Sequence, residues 1–475
     1  MDSDELAVAT ASAAAAAESG HGADTEPGPK SSLRRYGLST IVLLFALNMI
    51  DEFDRAVLAV GLDDIRDDFG LSDATVGLLP AAVIFITGLI ALPAGTWADR
   101  SDRKRILGGG AFVWGTAGLL AAGAQSFLQL FLTRALLGFG QGTIGPTHMS
   151  ILSDTYPPSA RGRVFGYHRA ANPAGQVLGA LIGGFIIGAA GWRWGFAAAA
   201  VPGLLLAGIA MVVLREPRRG EADLAEAIEQ DPLLSAFMSE PDNKVTLRAS
   251  IGRIWSIRTL RYCILANATF GFALFGMVFF LPAFFERSFG FSTEQAGAAQ
   301  ATIALATFVG TWFGGPLADR NLHRGFGFLC QVGVLSALIL AVAWPLAFAI
   351  ADPTITLTLL TLSSLASSLA VPGVIAIVAA AAPPEIRAQT FSCFGLALSV
   401  CGAATAPVLI GLLSEWFQSS GMSEGDALRW AMCLLVAIVM AIGSAIIIAA
   451  SRHAQRDVDK TISEFLAAYT TREPA

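Results

Sequence analysis

Charge is scarce in this 475-residue chain: Asp, Glu, Lys and Arg make up 14% of it, against roughly a quarter in a soluble domain. Lysine occurs only at positions 30, 104, 244 and 460. With 54% hydrophobic residues and a mean hydropathy of +0.61, that scarcity excludes a soluble globule and fits a polytopic membrane protein. No Gly-x-x-x-x-Gly-Lys-Ser/Thr loop is present, which removes ATP-driven transport. The glycine-rich stretches "GGGAFVWG" (108–115) and "GFGQG" (138–142) lie inside apolar runs with no strand before them, so they allow close helix contacts rather than bind a dinucleotide. The five cysteines (Cys263, Cys330, Cys393, Cys401, Cys433) and the few histidines have no metal-ligand spacing, so neither metal nor cofactor is expected. No nucleophile is paired with a base, and the chain does not read as an enzyme. Nucleic acid is not an expected partner.

What is there is length and apolarity. Runs of about 20 apolar residues, enough to cross the hydrocarbon core, fall at 37–60, 73–98, 106–126, 128–153, 164–190 and 194–214, then at 259–285, 294–318, 326–350, 354–382, 388–415 and 427–451. The expected fold is all-α, with twelve transmembrane helices in two six-helix bundles. The bundles are expected at 36–214 and 259–451, joined by a cytoplasmic linker at 215–258. Residues 1–35 and 452–475 are expected as cytoplasmic tails; the first has acidic residues where a secretory signal is basic. In the linker, "VTLRASIGRIWSIR" (245–258) puts Leu247, Ile251, Ile254 and Trp255 on one side, which predicts a helix lying in the plane of an anionic membrane surface. Basic residues concentrate after even-numbered runs, at Arg100, Arg103, Lys104, Arg105, Arg161, Arg163, Arg320, Arg324 and Arg387. The positive-inside rule then puts both termini in the cytoplasm of a cell (inner) membrane protein.

The halves repeat. "FGLS" (69–72) returns as "FGFS" (289–292), and "GTWADR" (95–100) as "GPLADR" (315–320), both at an offset of 220. "PPSARG" (157–162) returns as "PPEIRA" (383–388), and Arg193-Trp194 as Arg429-Trp430. Same-order repeats of this kind imply two bundles related by an axis along the membrane normal.

One run breaks the apolar rule. "MIDEFDRAVL" (49–58) holds Asp51, Glu52, Asp54 and Arg55, and each charge at mid-bilayer depth costs roughly 2.5–3.5 kcal/mol even on a lenient scale. Asp51, Asp54 and Arg55 share a helical face, while Glu52 points away and is within i,i+3 reach of Arg55. In the fourth run Arg134, Gln141 and His148 are seven apart, forming one stripe. Counting from the outer ends puts Arg55, Asp54 and Arg134 at one level, so they are expected to form a network lining a cavity. The alternative is that the three carboxylates lie in an outer loop. Asn48, His168, Arg169 and Asn267 are further cavity candidates. The runs of the second half offer no interior Asp, Glu, Lys or Arg in 262–285, 295–318, 354–383 or 388–414. A cavity charged on one wall and apolar on the other suits an amphipathic, anionic molecule.

"GTWADRSDRK" (95–104), "RALLG" (134–138) and "GQVLGALIGG" (175–184) resemble the loop 2–3, span 4 and span 5 motifs of the major facilitator superfamily. Within it, Asn48 with the Asp54-Arg55 pair, Thr133-Arg134 and "REPRRGE" (215–221) are similar to the Spinster-like branch. The resemblance implies a secondary transporter working by alternating access, often proton-linked, with lysolipids or sphingoid phosphates as substrates. It also implies a cytoplasmic gate at Gly95, Asp99, Arg100 and Arg103, with Asp319, Arg320 and Arg387 in the repeat. There Asp99 would meet the N-terminal dipole of the eleventh span. The branch places a glutamate seven residues after the span 4 arginine, where this chain has Gln141. Asp51 is therefore the first candidate to carry a coupling proton, followed by Asp54 and then Glu52. The expected function is transport of a lysophospholipid-like substrate by a monomer in the bilayer. The alternatives are a drug or organic-anion/proton transporter and, less favoured, a non-transporting receptor.

Overall fold

A computed structural model describes residues 38–98, 101–156, 158–217, 247–321, 324–383 and 386–470, and all of their regular structure is helical. In the first half, α1 (Leu38–Val60) is followed by a short α2 (Leu62–Phe69), α3 (Asp73–Ala98), α4 (Arg103–Ala122) and α5 (Phe127–Thr155). Then α6 (Pro158–Leu178) runs through a π-helical turn at Gly179–Gly183 into α7 (Gly184–Ala190), and α8 (Trp192–Val213) closes the half. The second half has α9 (Leu247–Ser256), α10 (Arg258–Phe289), α11 (Thr293–Asn321), α12 (Phe326–Ala349) and α13 (Pro353–Ala381). There α14 (Arg387–Leu396) passes a second π-helical turn, Ala397–Ala403, into α15 (Ala406–Ser419), before α16 (Glu424–Ser451) and α17 (Ala454–Thr470).

The repeated tetrapeptides are helix corners. Gly70 and Gly290 both take left-handed backbone, at φ 60° and 70°, where a side chain would be strained; each ends one helix. Ser72 and Ser292 then accept from the N–H of Thr75 and Gln295 at 3.3 and 3.4 Å, starting the next helix as N-caps do. The repeated arginines complete the corners. Arg193 lies over the Phe69 ring at 5.8 Å and Arg429 over the Phe289 ring at 5.3 Å. One local design is thus built twice, and the two π-helical turns repeat with it.

Among the described residues, ten helical passes are long and apolar enough to cross a membrane. Two more of comparable length, α1 and α5, carry the interior charges instead. Large apolar side chains such as Phe112, Phe185, Val212, Val342 and Ile442 face outward, which a water-soluble protein does not tolerate in such number. Close approach relies on glycine. A Cβ at Gly140 would lie 2.6 Å from the Gly110 carbonyl of α4, and one at Gly179 would lie 2.7 Å from the Phe53 carbonyl of α1. The glycine-rich runs therefore serve helix contact, as their apolar setting predicts. Across the sequence halves, α3 packs on α15, and α6 and α7 pack on α11.

Two segments outside the expected spans differ from expectation. Residues 452–475, expected as a tail, contribute α17, whose Ala454 and Val458 are buried among Leu260, Ala381 and Ala450 of the second half. Its Asp457 accepts from the backbone N–H and hydroxyl of Thr259 at 2.8 and 2.7 Å, satisfying the start of α10. Asp457→Ala should lower the melting free energy by about 1 kcal/mol, as loss of a cap does, measured by thermal unfolding in detergent. The linker helix forms at Leu247–Ser256 but rotates Ile254 into the protein, leaving Ile251 and Trp255 outward. Arg253 bridges to Glu464 of α17 at 2.6 Å.

Candidate functional site

Asp54 of α1 and Arg134 of α5 form an ion pair at 3.0 Å, both sealed from solvent. The guanidinium also stacks over the Phe196 ring of α8 at 4.1 Å, so one face of the charge is met by a π-system. Its Nε and second terminal nitrogen have no hydrogen-bond partner. The pair is buried, in a place where either partner alone would be an uncompensated charge.

Arg55, one residue on, turns elsewhere. It donates to Asp51 at 3.4 Å and to Gln141 Oε1 at 3.2 Å. Its side chain keeps 22% of its surface exposed and that of Asp51 14%. The sequence expectation of one network through Asp54, Arg55 and Arg134 is therefore realised as two neighbouring pairs: a buried one with Arg134, and a partly open one centred on Arg55. Thr87 of α3 donates to the Gly138 carbonyl at 3.1 Å beside Gln141, fixing α3 against α5 at this depth.

Glu52 does not pair with Arg55, contrary to the i,i+3 expectation. Its side chain leaves the α1 helix on the α6 side, where Asn172 and Gln176 donate to its two oxygens at 3.3 and 3.1 Å. Asn48 donates to Asn172 and to the His168 carbonyl, the latter at 3.2 Å. His168 and His148 are buried and share a ring-nitrogen hydrogen bond at 2.9 Å. Sequence reading left Gln176 out of the site. The signal was available, since Asn172 and Gln176 are four apart, on the face where Gly175 and Gly179 meet α1.

The other expected site residues separate. Arg169 is exposed, and Asn267 donates to the Phe394 carbonyl at 2.8 Å, tying α10 to α14. Of the gate set, Asp99 and Arg100 lie outside the described residues. Gly95, Asp319 and Arg387 are helical positions of α3, α11 and α14, and Arg320 is exposed. Arg103 is buried within its own half: it pairs with Asp154 and, at 2.7 Å, with Glu216, and it donates to the Pro217 carbonyl at 2.7 Å. It fastens the chain leaving α8 to the ends of α4 and α5.

A second ion cluster, missed in the sequence, joins the halves at the opposite end. Arg287 of α10 donates through Nε to Asp63 at 2.9 and 2.8 Å and through a terminal nitrogen to Asp73 at 2.8 Å. Asp73 also accepts from Ser414 at 2.6 Å and Gln418 at 3.0 Å, both on α15. Arg66 bridges to Glu424 at 2.6 Å, and Glu415 accepts from the Ala74 N–H at 2.7 Å. These contacts hold the first half to the second at the end where α1, α10 and α15 finish.

Apolar helices of membrane length around buried ion pairs, with an ionic seam at one end, define a polytopic membrane transporter. The Major Facilitator Superfamily model matches residues 44–350, and the chain belongs to that family; its members are transporters, not enzymes. The chain is 25% identical over 453 residues to protein spinster homolog 1 of Xenopus tropicalis, covering 89% of this chain and 82% of that protein. It is also 25% identical over 305 residues to a hexuronate transporter of Bacillus subtilis, covering 63% of this chain and 70% of that one. A crystal structure of a bacterial homologue of the human lysosomal transporter Spinster, in an inward-facing and unoccupied conformation, superposes with a TM-score of 0.75. That structure is 24% identical, and the match covers 89% of this chain and 98% of that one.

Proposed function

We propose that the protein is a proton-linked secondary transporter of an anionic, amphipathic substrate, with a lysophospholipid-like molecule as the first reading. In this reading α1 and α5 also cross the bilayer, giving twelve spans in bundles at 36–214 and 259–451. The concentration of arginine in alternate connections puts both termini in the cytoplasm of the cell membrane. The Arg287 end then faces outward and is closed. The observation that carries the reading is the exposure of Arg55. Of the two arginines on the α1–α5 wall, Arg134 is sealed and Arg55 keeps part of its side-chain surface exposed. An anionic head would find its donor there, and the charge-free runs of α10 and α14–α15 offer apolar surface for a tail. Likeness to Spinster homologues over most of the chain supports this choice.

The second reading is a small organic anion, favoured by the likeness to a hexuronate transporter. Uptake into proteoliposomes of a labelled lysophosphatidate and of glucuronate, each with and without an imposed pH gradient, separates the two. Accumulation of the lysolipid that collapses when the gradient is removed is expected. Accumulation of glucuronate alone selects the second reading, and no flux of either sinks both.

A further inference from the structure

Five ionisable groups of α1 and α5 crowd this layer, three carboxylates and two arginines, so one negative charge is in excess. The structure says which carboxylate is odd. Asp54 has Arg134 and Asp51 has Arg55, whereas Glu52, 8% exposed, is held by the side-chain amides of Asn172 and Gln176. A proton on Asp54 would leave Arg134 sealed without its counter-ion, and a proton on Asp51 would take the carboxylate from Arg55 in the partly open pair; both break an ion pair. A proton on Glu52 breaks none. Rotation of the Gln176 amide turns its oxygen toward the new O–H, which then has an acceptor.

The amides have a further property. Both are on α6, and α6 with its continuation α7 is the part of the first half that packs on α11 of the second. A Cβ at Gly297 of α11 would collide with the Ala180 carbonyl of the π-helical turn between α6 and α7. Movement at this seam therefore acts directly on the helix that supplies the donors of Glu52.

We propose that Glu52, rather than Asp51, is the residue that binds and releases the coupled proton, with Asn172 and Gln176 as its positioning residues. The proposal rests on the proton-linked reading above. The charged and titratable groups around it are Asp51 and Arg55 on α1, His148 and the Asp54-bound Arg134 on α5, and His168 with exposed Arg169 on α6.

Infrared difference spectroscopy of the purified, reconstituted protein during a pH titration tests this without any substrate. The C=O stretch of a protonated carboxyl should appear on acidification of wild type, vanish in Glu52→Gln and persist in Asp51→Asn. Gln176→Met, which keeps the carboxyl and removes one donor, should shift the pH at which the band appears; thermal melting of each variant verifies its fold. A band that survives Glu52→Gln and vanishes in Asp51→Asn, or no titrating band in wild type, overturns the assignment. Failure of the proton-linked reading looks different: the band titrates as described, yet accumulation of lysophosphatidate and of glucuronate ignores the imposed gradient.

Discussion

Arg134→Ala should abolish substrate flux while the protein still inserts into the membrane. The substitution strands Asp54 in a sealed site, and breaking a buried pair in this way costs about 3–5 kcal/mol, more than a hundredfold in any equilibrium that needs the pair. It also removes the contact with the Phe196 ring, loosening α5 from α8. Uptake by proteoliposomes with matched amounts of inserted protein measures the effect, and normal uptake would end the case for an essential pair. Arg55→Ala should be nearly as severe in flux but milder in stability, because Asp51 and Arg55 are both partly exposed. The contrast between the two variants separates a structural cation from one that meets the substrate.

Arg287→Ala should open the opposite end. Asp63 and Asp73 lose their shared counter-ion, and Asp73 is almost fully buried. The cost again lies in the range of a few kcal/mol, but here it falls on one conformation, because the partners belong to different halves and separate when that end opens. Spin labels at exposed Asp67 and Met422 should show a longer distance population in the variant, and an unchanged distribution would remove the latch role. Acid should act the other way. Burial and the neighbouring carboxylates Asp63, Asp67 and Glu294 hold the Asp64 carboxyl above the usual range. Glu294 is across the seam, so its share of this repulsion exists only while the end is closed. Protonating Asp64 relieves it, and lowering the pH on this face should shift wild type further toward the closed form.

The run boundaries read from the sequence return as helices to within a few residues, because a span needs continuous apolarity and the caps at Ser126, Asp352 and Ser423 mark its limits. The docking of α17 was not legible. Residues 452–475 contain no apolar run, and a narrow stripe of Ala454 and Val458 becomes a core only when the second half is there to receive it. Within the site, depth along α1 and α5 located Asp54 and Arg134 correctly, since the rise per residue is fixed. Choice of partner was harder. Arg55 had Asp51, Glu52 and Asp54 all within helical reach, and only the position of α6 shows that Glu52 is turned to Asn172 and Gln176. The Arg287 cluster was least visible of all. Asp63, Asp73 and Arg287 each look like ordinary charges at helix ends, separated by more than 200 residues of chain.

At the Arg287 end, exposed and buried contacts differ in how they respond to salt. Inside each half the corner is clasped by an arginine over a phenylalanine ring, a short-range contact, and Arg193 also bridges to Asp68 at 2.8 Å within the first half. Between the halves the bonds are ionic, and the Arg66–Glu424 bridge is exposed enough to feel a screening length of about 8 Å at physiological ionic strength. Added salt should therefore weaken the exposed bridges, Arg66–Glu424 across the seam and Arg193–Asp68 within the first half, while the buried Arg287 cluster holds. An assay that changes the driving ion and the total ionic strength together will report both effects as one, and an inert salt held constant across conditions keeps them apart.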